Sequence, residues 1–474
     1  MSPTMVLKLF SGNSLRSLTL RGTAITLGGT AGQQLLRLLS NLILTRLLFP
    51  EAFGLMALIQ TFTSGLQLFS DLGLRPSIIQ NKRGEDPDFL NTAWTLQIIR
   101  GAVLWLVACL LAWPLSVFYD NEQILWMLPV VGLGALIQGF STTKGIVASR
   151  NLQLGLMTTI GVISQVVGLV AMIGLAWIWP SVWALAIGGL ASSLFGTWAG
   201  HRFLPGIRNR LHWDPAAAHD LLHFGRFILI STIATFFGSQ GDKLFLGQVV
   251  SLADLGIYNI AFFLSVFPSM LGGMVANQIL FPLYRKLPPS QNLQNQQKIR
   301  RARNLLTGGL IAMYGLLALV SVPLIELLYD QRYAAAGPML VILALMQFPG
   351  ALVVGNSMLL LAEGNSRDFS KLTIIRGVLN MIYLIGAFWL FGILGVLLAP
   401  GLKSMTLYPL QQYYVARYKG MDLTNDAIFM LISIGLGTVA VWYNWDILAE
   451  FYRTSVALAP SVTGNWHPKT VFAL

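Results

Sequence analysis

Apolar runs long enough to cross a membrane follow one another almost without interruption from Gly22 to Trp445. A transmembrane helix needs about 20 consecutive, mostly apolar residues. Only 11% of the residues are charged, whereas about 25% is usual for a soluble domain. The sequence therefore predicts an all-α, polytopic membrane protein and excludes a water-soluble globule.

The apolar runs fall into two groups of six. We predict spans at 22–45, 52–78, 91–117, 124–149, 155–178, 182–200, 224–250, 255–281, 304–328, 334–362, 372–391 and 394–415, with a thirteenth run near 426–443. The predicted organisation is an N-terminal segment 1–21, a six-helix lobe 22–200, an interlobe linker 201–223, a second six-helix lobe 224–416, and a further hydrophobic segment with the C-terminal tail, 417–474. The polar segment 282–303 predicts a flexible basic linker.

Basic residues sort to one side of this topology. If the N-terminus is cytoplasmic, nearly all loop Lys and Arg residues face the cytoplasm, and only Arg46 and Arg332 lie on the other side. Basic loops resist translocation, so we predict that segment 1–21 and both polar linkers are cytoplasmic. The same rule accounts for the net charge of +12 without a nucleic-acid partner.

An internal repeat relates the two groups of spans. An offset of 202 residues (256 minus 54) places Leu42-Ile43-Leu44 over Leu244-Phe245-Leu246 and Gly54-Leu55-Met56 over Gly256-Ile257-Tyr258. Few residues are identical, so chance similarity between two apolar hairpins is the alternative. Because each group has an even number of spans, both would enter the membrane from the same side, as parallel repeats of alternating-access transporters do.

Several basic residues lie inside the predicted spans. Arg75, Lys144, Arg226 and Arg376 are near the cytoplasmic ends, where long side chains reach the headgroups. Four others lie deeper, where a charge is expensive unless it faces a cavity or a partner. These four, Arg37, Arg100, Lys243 and Lys403, predict a positively charged cavity for an anionic ligand such as a phosphate or pyrophosphate.

Two acids within the spans are candidates for coupling to a proton or sodium gradient. They are Asp71 and Asp242. Asp242 could instead be a neutralising neighbour of Lys243, although consecutive helix residues do not face each other. Both interpretations remain open at this point.

Sequence signatures of catalysis are absent. The sequence has no P-loop, no HExxH, no GxSxG and no Cys/His spacing typical of a metal site, and its only cysteine is Cys109. The histidines lie in a loop and in the tail, where solvated side chains are the simplest interpretation. We therefore expect no enzyme activity, no cofactor and no metal site, and an ion or substrate gradient as the energy source.

Motifs in order along the chain resemble the polysaccharide transporter family. They are Leu68-Phe69-Ser70-Asp71-Leu72-Gly73-Leu74, Ile78-Ile79-Gln80, Asp88-Phe89-Leu90-Asn91-Thr92-Ala93-Trp94, Phe118-Tyr119-Asp120, Gly241-Asp242-Lys243-Leu244-Phe245-Leu246-Gly247 and Leu255-Gly256-Ile257-Tyr258. These O-antigen and exopolysaccharide flippases belong to the multidrug/oligosaccharidyl-lipid/polysaccharide (MOP) flippase superfamily. The resemblance extends from about Leu20 to Lys419.

This resemblance implies two six-helix lobes around a central cationic cavity. It also implies movement of undecaprenyl-pyrophosphate-linked oligosaccharides across the bacterial cytoplasmic membrane by alternating access, coupled to a cation such as H+ or Na+. Membrane lipids and other polysaccharide-assembly membrane proteins are the implied partners. Arg37, Asp242 and Lys243 are the cavity residues that the resemblance suggests, whereas Arg100 and Lys403 rest on their depth in the spans.

The sequence differs from the family in its thirteenth run, because members often have twelve or fourteen spans. Either the C-terminus is external, or the tail lies along the membrane surface, or the thirteenth run does not cross.

Two other functions compete with the flippase. A drug or cation antiporter of the same superfamily would favour an acidic cavity. A membrane-embedded polymerase or glycosyltransferase would need a larger extramembrane catalytic loop than 201–223.

Overall fold

A computed structural model describes residues 15–71, 73–151, 153–225 and 229–457. Within these ranges the secondary structure is entirely helical, which confirms the predicted fold class. The residues form two compact units. Unit 1 comprises the described residues up to Leu48 together with Leu58–Ile233, and unit 2 comprises Phe49–Ala57 together with the described residues from Ala234 onward.

Unit 1 is built mainly from the first nine helices. They are α1 (Leu15–Leu47), α2 (Pro50–Phe69), α3 (Leu74–Gln80), α4 (Pro87–Phe118), α5 (Gln123–Gly139), α6 (Lys144–Arg150), α7 (Leu154–Ile178), α8 (Val182–Phe203) and α9 (Pro215–Gly225). Local sequence explains two of the boundaries. Gly73 precedes α3 with φ of 59°, which glycine adopts at little cost. Asp86 caps α4 by accepting a hydrogen bond from the Asp88 amide at 3.2 Å, with Pro87 at the first helical position.

The predicted interlobe linker 201–223 packs onto unit 1 through α9. Ala217, Ala218 and Leu221 of α9 join Ile78 and Phe89 in one buried cluster. Just before α9, the Asp214 carboxylate accepts a hydrogen bond from Arg83 Nη2 at 2.8 Å. The boundary between the compact units lies further on, between Ile233 and Ala234.

Unit 2 contains the remaining helices, apart from the start of α10. They are α10 (Leu229–Val249), α11 (Leu252–Val275), α12 (Phe281–Lys286), α13 (Leu293–Leu328), α14 (Ala336–Met346), α15 (Phe348–Ala351), α16 (Asn356–Ala362), α17 (Ser366–Phe391), α18 (Ile393–Ala416), α19 (Leu423–Tyr443) and α20 (Trp445–Ala457). A π-helical turn, Ala276–Leu280, joins α11 to α12, and a short 3-10 turn, Gln331–Tyr333, precedes α14.

The prediction of a flexible linker at 282–303 is wrong for most of that segment, which is helical. α12 continues to Lys286, and α13 begins at Leu293, well before its apolar part. Asn292 starts α13 because its side chain accepts a hydrogen bond from the Asn295 amide at 2.8 Å, as residues at helix N-termini commonly do. The polar residues 293–303 therefore extend a transmembrane helix.

The thirteenth run forms α19, which packs parallel to α13. The side chain of Phe429 lies beside Gly308 and that of Leu436 beside Gly315, and the Asn444 amide donates to the carbonyl of Ala318 at 3.4 Å. Both helices thus advance in the same direction, and α19 is long and apolar enough to cross a membrane. These contacts argue against a thirteenth run that does not cross. In the predicted tail, residues 445–457 form the short helix α20. Residues 458–474 lie outside the described residues.

Among the described residues, ten helical segments are long and apolar enough to span a membrane, or eleven if α5 and α6, bent by 61°, form one span. The protein is therefore a multi-pass membrane protein. Two long helices, α1 and α10, do not reach this apolarity. They are the first helices of the two predicted lobes, and they carry the predicted site residues Arg37, Asp242 and Lys243.

Candidate functional site

A polar cavity of about 200 Å³ lies inside unit 2. It is lined by residues of α10, α11, α17 and α18, together with Gln347 at the break between α14 and α15. The polar lining side chains are Ser239, Asp242, Tyr258, Ser269, Gln347, Asn380, Lys403 and Ser404. These polar groups among apolar helices make the cavity a candidate site, because polar groups in a membrane interior are costly unless they have partners or a ligand.

Lys403 holds a defined position on the cavity wall. Its ammonium group donates a hydrogen bond to Asn380 Oδ1 at 2.8 Å. Asn380 in turn donates from Nδ2 to the carbonyl oxygen of Phe237 at 3.2 Å. Because that carbonyl can only accept, the orientation of the Asn380 amide is determined, and its oxygen faces Lys403.

The buried hydroxyl group of Tyr258 holds the Asp242 side chain in position. The Tyr258 hydroxyl donates to Asp242 Oδ2 at 2.7 Å, and the two residues are only 1% and 7% exposed respectively. Asp242 and Lys403 line the same cavity, from α10 and α18 respectively.

Lys243 lies beside the cavity rather than in its lining. Its ammonium group donates to Gln240 Oε1 at 3.1 Å and lies 5.7 Å from the centre of the Phe262 ring. Phe262 lines the cavity and stacks on Tyr258, with ring centres 5.7 Å apart. Asp242 and Lys243 thus occupy different directions on α10, as consecutive helix residues do.

Arg376, which we predicted to reach the headgroups, is partly buried on α17. Arg376 and Asn380 are four residues apart on α17 and therefore lie on one helix face. From this four-residue spacing the sequence analysis could have predicted that the two side chains are neighbours.

The other residues predicted to reach the headgroups differ from one another. Arg75 donates to Ser149 Oγ at 3.2 Å, whereas Lys144 is buried and donates from Nζ to the His201 carbonyl at 2.9 Å. The snorkelling expected of Lys144 is therefore wrong, because a carbonyl at the end of α8 replaces solvent. Arg226 lies outside the described residues.

Arg100 and Asp71 both make hydrogen bonds near the end of α2, in unit 1. Arg100 donates to Ser70 Oγ at 3.0 Å and to the Gln67 carbonyl at 2.6 Å. Asp71 Oδ1 also accepts a hydrogen bond from the Gly73 amide at 3.0 Å. These hydrogen bonds hold the end of α2, which is a structural role, and the predicted roles of both residues in the site stay predictions.

Arg37 lies on α1, which packs against α7. Gln165 of α7 donates to the Gln33 carbonyl at 2.9 Å, one turn before Arg37. The Arg37 side chain is exposed in the structure. The six predicted site residues therefore occupy three places, with Asp242, Lys243 and Lys403 at the cavity, Arg100 with Asp71, and Arg37 on α1.

No group of three His, Cys, Asp or Glu side chains suited to a metal ion occurs within the described parts of the chain. The chemistry available at the cavity is therefore ionic and hydrogen bonding. Among the lining residues Lys403 supplies the positive charge, Asp242 supplies the single carboxylate, and amides and hydroxyls supply the rest, while Lys243 lies just outside the lining beside Phe262.

Comparison with known proteins connects this architecture to polysaccharide assembly. Residues 43–338 match the model of a family described as "Polysaccharide biosynthesis protein". The chain is 24% identical over 320 residues to the teichuronic acid biosynthesis protein TuaB of Bacillus subtilis, covering 63% of this chain and 62% of TuaB. It is 23% identical over 340 residues to the lipopolysaccharide biosynthesis protein WzxC of Escherichia coli, covering 70% and 68%. The match to TuaB thus spans less than two thirds of that protein.

Two solved structures share the fold. The lipid II flippase MurJ, in an inward closed conformation, superposes with a TM-score of 0.67 at 14% identity, over 91% of this chain and 97% of MurJ. An inward-facing multidrug resistance MATE transporter of the MOP superfamily superposes with a TM-score of 0.56 at 14% identity, over 82% and 96%. At such low identity these matches establish the fold alone.

Proposed function

The chain belongs to the family of polysaccharide biosynthesis proteins, and from this premise we propose that it is a flippase for a polyprenyl-pyrophosphate-linked oligosaccharide. In this proposal alternating access moves the repeat unit of a polysaccharide across the bacterial cytoplasmic membrane, with the N-terminus in the cytoplasm. The names of the relatives support a role in polysaccharide assembly, and the MOP fold supports a transporter.

The polar cavity of unit 2 is the observation that carries the proposal. Lys403 and Asp242 are the charged lining residues, and Lys243 lies just outside the lining, beside Phe262, so two cations and one acid lie at or beside the cavity. A pyrophosphate offers several acceptor oxygens to such donors, and charge-assisted hydrogen bonds of this kind are about twice as strong as neutral ones. Lys403 already donates to a neutral amide oxygen of Asn380, which a phosphate oxygen could replace.

The size of the cavity indicates which part of the lipid it would hold. Pockets for drug-sized ligands are about 300–1,000 Å³, and this one is about 200 Å³. A pyrophosphate fits within that volume, whereas an oligosaccharide or a polyprenyl chain does not. We therefore place the pyrophosphate in the cavity and the polyprenyl chain in the lipid.

Coupling to H+ or Na+ is part of the proposal and centres on Asp242. In the described structure its carboxylate accepts a hydrogen bond from Tyr258, and Lys403 lines the same cavity. If Lys403 binds a phosphate, its charge is neutralised, and Asp242 is the lining carboxylate that can accept a proton or sodium ion. Asp71 is the second candidate, although its contacts at the α2–α3 turn favour a structural role.

Transport into proteoliposomes tests the site. We expect Lys403→Ala to reduce the initial rate of flipping of a polyprenyl-pyrophosphate-linked oligosaccharide by about 10- to 100-fold, which corresponds to one lost charged hydrogen bond. Lys403→Arg should retain more activity than Lys403→Ala because it keeps the charge. Lys371→Ala, which changes an exposed lysine at the start of α17, is the matched control. Equal rates for Lys403→Ala and the parent would refute the pyrophosphate site.

A drug or cation antiporter is the second candidate, since the MATE fold match favours it. Such a transporter should bind a lipophilic cation in the acidic part of the cavity. Asp242→Asn would then abolish efflux of the cation, whereas in a flippase Lys403→Ala has the larger effect. Measuring both variants with both substrates separates the two functions.

A further inference from the structure

The two glycines that the internal repeat aligns are in direct contact. An offset of 202 residues pairs Gly54 with Gly256, and the same offset pairs Pro50 with Leu252 (252 minus 50). A Cβ atom added to Gly54 would collide with the Leu252 carbonyl oxygen, and a Cβ atom added to Gly256 would collide with the Pro50 carbonyl oxygen. Gly54 therefore packs against Leu252, and Gly256 packs against Pro50. Leu252 and Pro50 are themselves equivalent positions in the repeat.

The distances at the centre of the contact are also reciprocal. A Cβ on Gly54 would lie 3.1 Å from the Gly256 amide nitrogen, and a Cβ on Gly256 would lie 3.0 Å from the Gly54 amide nitrogen. A contact in which residue i meets j and j meets i is the signature of a two-fold axis. The first turns of α2 and α11 thus cross about a local pseudo-two-fold axis. Chance similarity of two apolar hairpins does not explain this reciprocity.

Glycine is required for this crossing because the backbones touch. Small residues let two helices approach closely in membranes, and here any side chain at either position would meet a carbonyl group of the other helix. Backbone atoms cannot move aside as the end of a flexible side chain can. An added methyl group must therefore separate the two helix ends.

Residues around the crossing complete a small docking surface. The Phe53 ring meets the Tyr333 ring edge-on, with centres 6.2 Å apart. The Arg332 guanidinium lies 4.9 Å from the centre of the Phe49 ring, and Asp330 pairs with that arginine. Phe49 remains 59% exposed, so the edge of this surface is accessible to reagents.

This docked segment belongs to a different unit from the rest of its helix. Phe49–Ala57 pack within unit 2, whereas α2 belongs to unit 1 from Leu58 onward. We propose that Phe49–Ala57 is a strap that docks on unit 2 through the Gly54–Gly256 crossing in one state of the transport cycle and releases in the other. The release step rests on the proposed transport function. The docking does not, because it is present in the described structure.

Cross-linking measures docking directly in the full-length protein. We would replace the only cysteine (Cys109→Ser), introduce Phe49→Cys and Arg332→Cys, and follow reaction with a short bifunctional thiol reagent in lipid nanodiscs. Adding Gly54→Ala or Gly256→Ala should lower the cross-linking rate by about tenfold or more, because overpacking disfavours the docked state. The two variants should have equal effects, as the pseudo-symmetry requires. Gly273→Ala and Gly309→Ala, where nothing lies within 4 Å of an added Cβ, should leave the rate unchanged.

Parental cross-linking rates in both alanine variants would overturn the proposed docking contact. Release is tested without these variants, and so independently of their folding, by cross-linking the glycine-containing protein with a reducible reagent. Transport should stop on cross-linking and return after reduction, whereas full transport in the cross-linked protein would overturn the release step. If the untreated protein moves no lipid-linked oligosaccharide, the proposed function fails, but the cross-linking rates still decide the docking.

Discussion

A buried ionic cluster joins α19 to the start of α13, and breaking it should destabilise unit 2. Arg303 is 3% exposed. It donates to the Gly420 carbonyl at 2.8 Å and to Asp426 Oδ1 at 3.2 Å, and Asp422 lies 3.6 Å away. The second oxygen of Asp426 accepts hydrogen bonds from Tyr408 at 2.9 Å and Gln412 at 2.8 Å.

Removing one member of a buried pair costs about 3–5 kcal/mol, because the other charge stays buried without its partner. Asp426→Leu should lie near the lower limit, since Arg303 keeps Asp422. Arg303→Met should lie near the upper limit, because the buried Asp426 then has no cationic partner, whereas Asp422 keeps its ion pair with Arg300. At about 2–4 °C per kcal/mol for a unit of this size, these costs lower the melting temperature by roughly 6–20 °C.

The assay is thermal unfolding of the purified protein, followed by tryptophan fluorescence, which Trp442 and Trp445 make sensitive to α19. The double variant Arg303→Met/Asp426→Leu should recover most of the loss, since replacing a whole buried pair by apolar residues is often nearly neutral. Arg301→Met, an exposed arginine on the same helix, should change stability by less than about 0.5 kcal/mol. Additive losses in the double variant would refute the coupling between the two residues.

Three further predictions concern packing and charge. Gly377→Ala should destabilise unit 2 by about 1–3 kcal/mol, because an added Cβ would lie 2.5 Å from the Ala234 carbonyl oxygen, whereas Gly386→Ala, with nothing within 4 Å, should not destabilise it in the same melting assay. Arg100→Ala should cost about 1.5–3 kcal/mol in thermal melting of the protein, since the Gln67 carbonyl and Ser70 lose a charged donor. The hydrogen bond from Arg83 lowers the pKa of Asp214. The stability that this pair contributes should therefore be constant above the ordinary aspartate pKa of about 3.9 and should be lost as the pH falls through the lowered value, which melts measured from pH 7 to pH 3 would reveal.

Helix positions were predictable because the length of an apolar run is a local property. The span predicted at 182–200 is observed as Val182–Phe203, and that predicted at 394–415 as Ile393–Ala416. The prediction failed where a polar stretch continues a helix. The polar part of α13 includes Arg303, which donates a hydrogen bond to Asp426. The length of an apolar run cannot reveal such a contact.

The site could be predicted only in part. Depth in the apolar runs identified Lys243, Lys403 and Asp242, because a charge far from solvent must have a cavity or a partner. The same argument assigned Arg376 to the headgroups, since distance along the chain from a loop does not reveal that it shares a face of α17 with Asn380. The roles of all these residues in binding and coupling stay predictions until the transport experiments are made.

The class of protein and most of its helices follow from composition and apolar run length, which are properties of the chain alone, and the reciprocal contact of Gly54 with Gly256 supports the repeat that the chain suggested. Which charged and polar groups meet depends on how the helices pack. Asp242 accepts a hydrogen bond from Tyr258 and lines a cavity with Lys403, while its neighbour Lys243 contacts Gln240 and Phe262, because side chains of consecutive helix residues point in different directions.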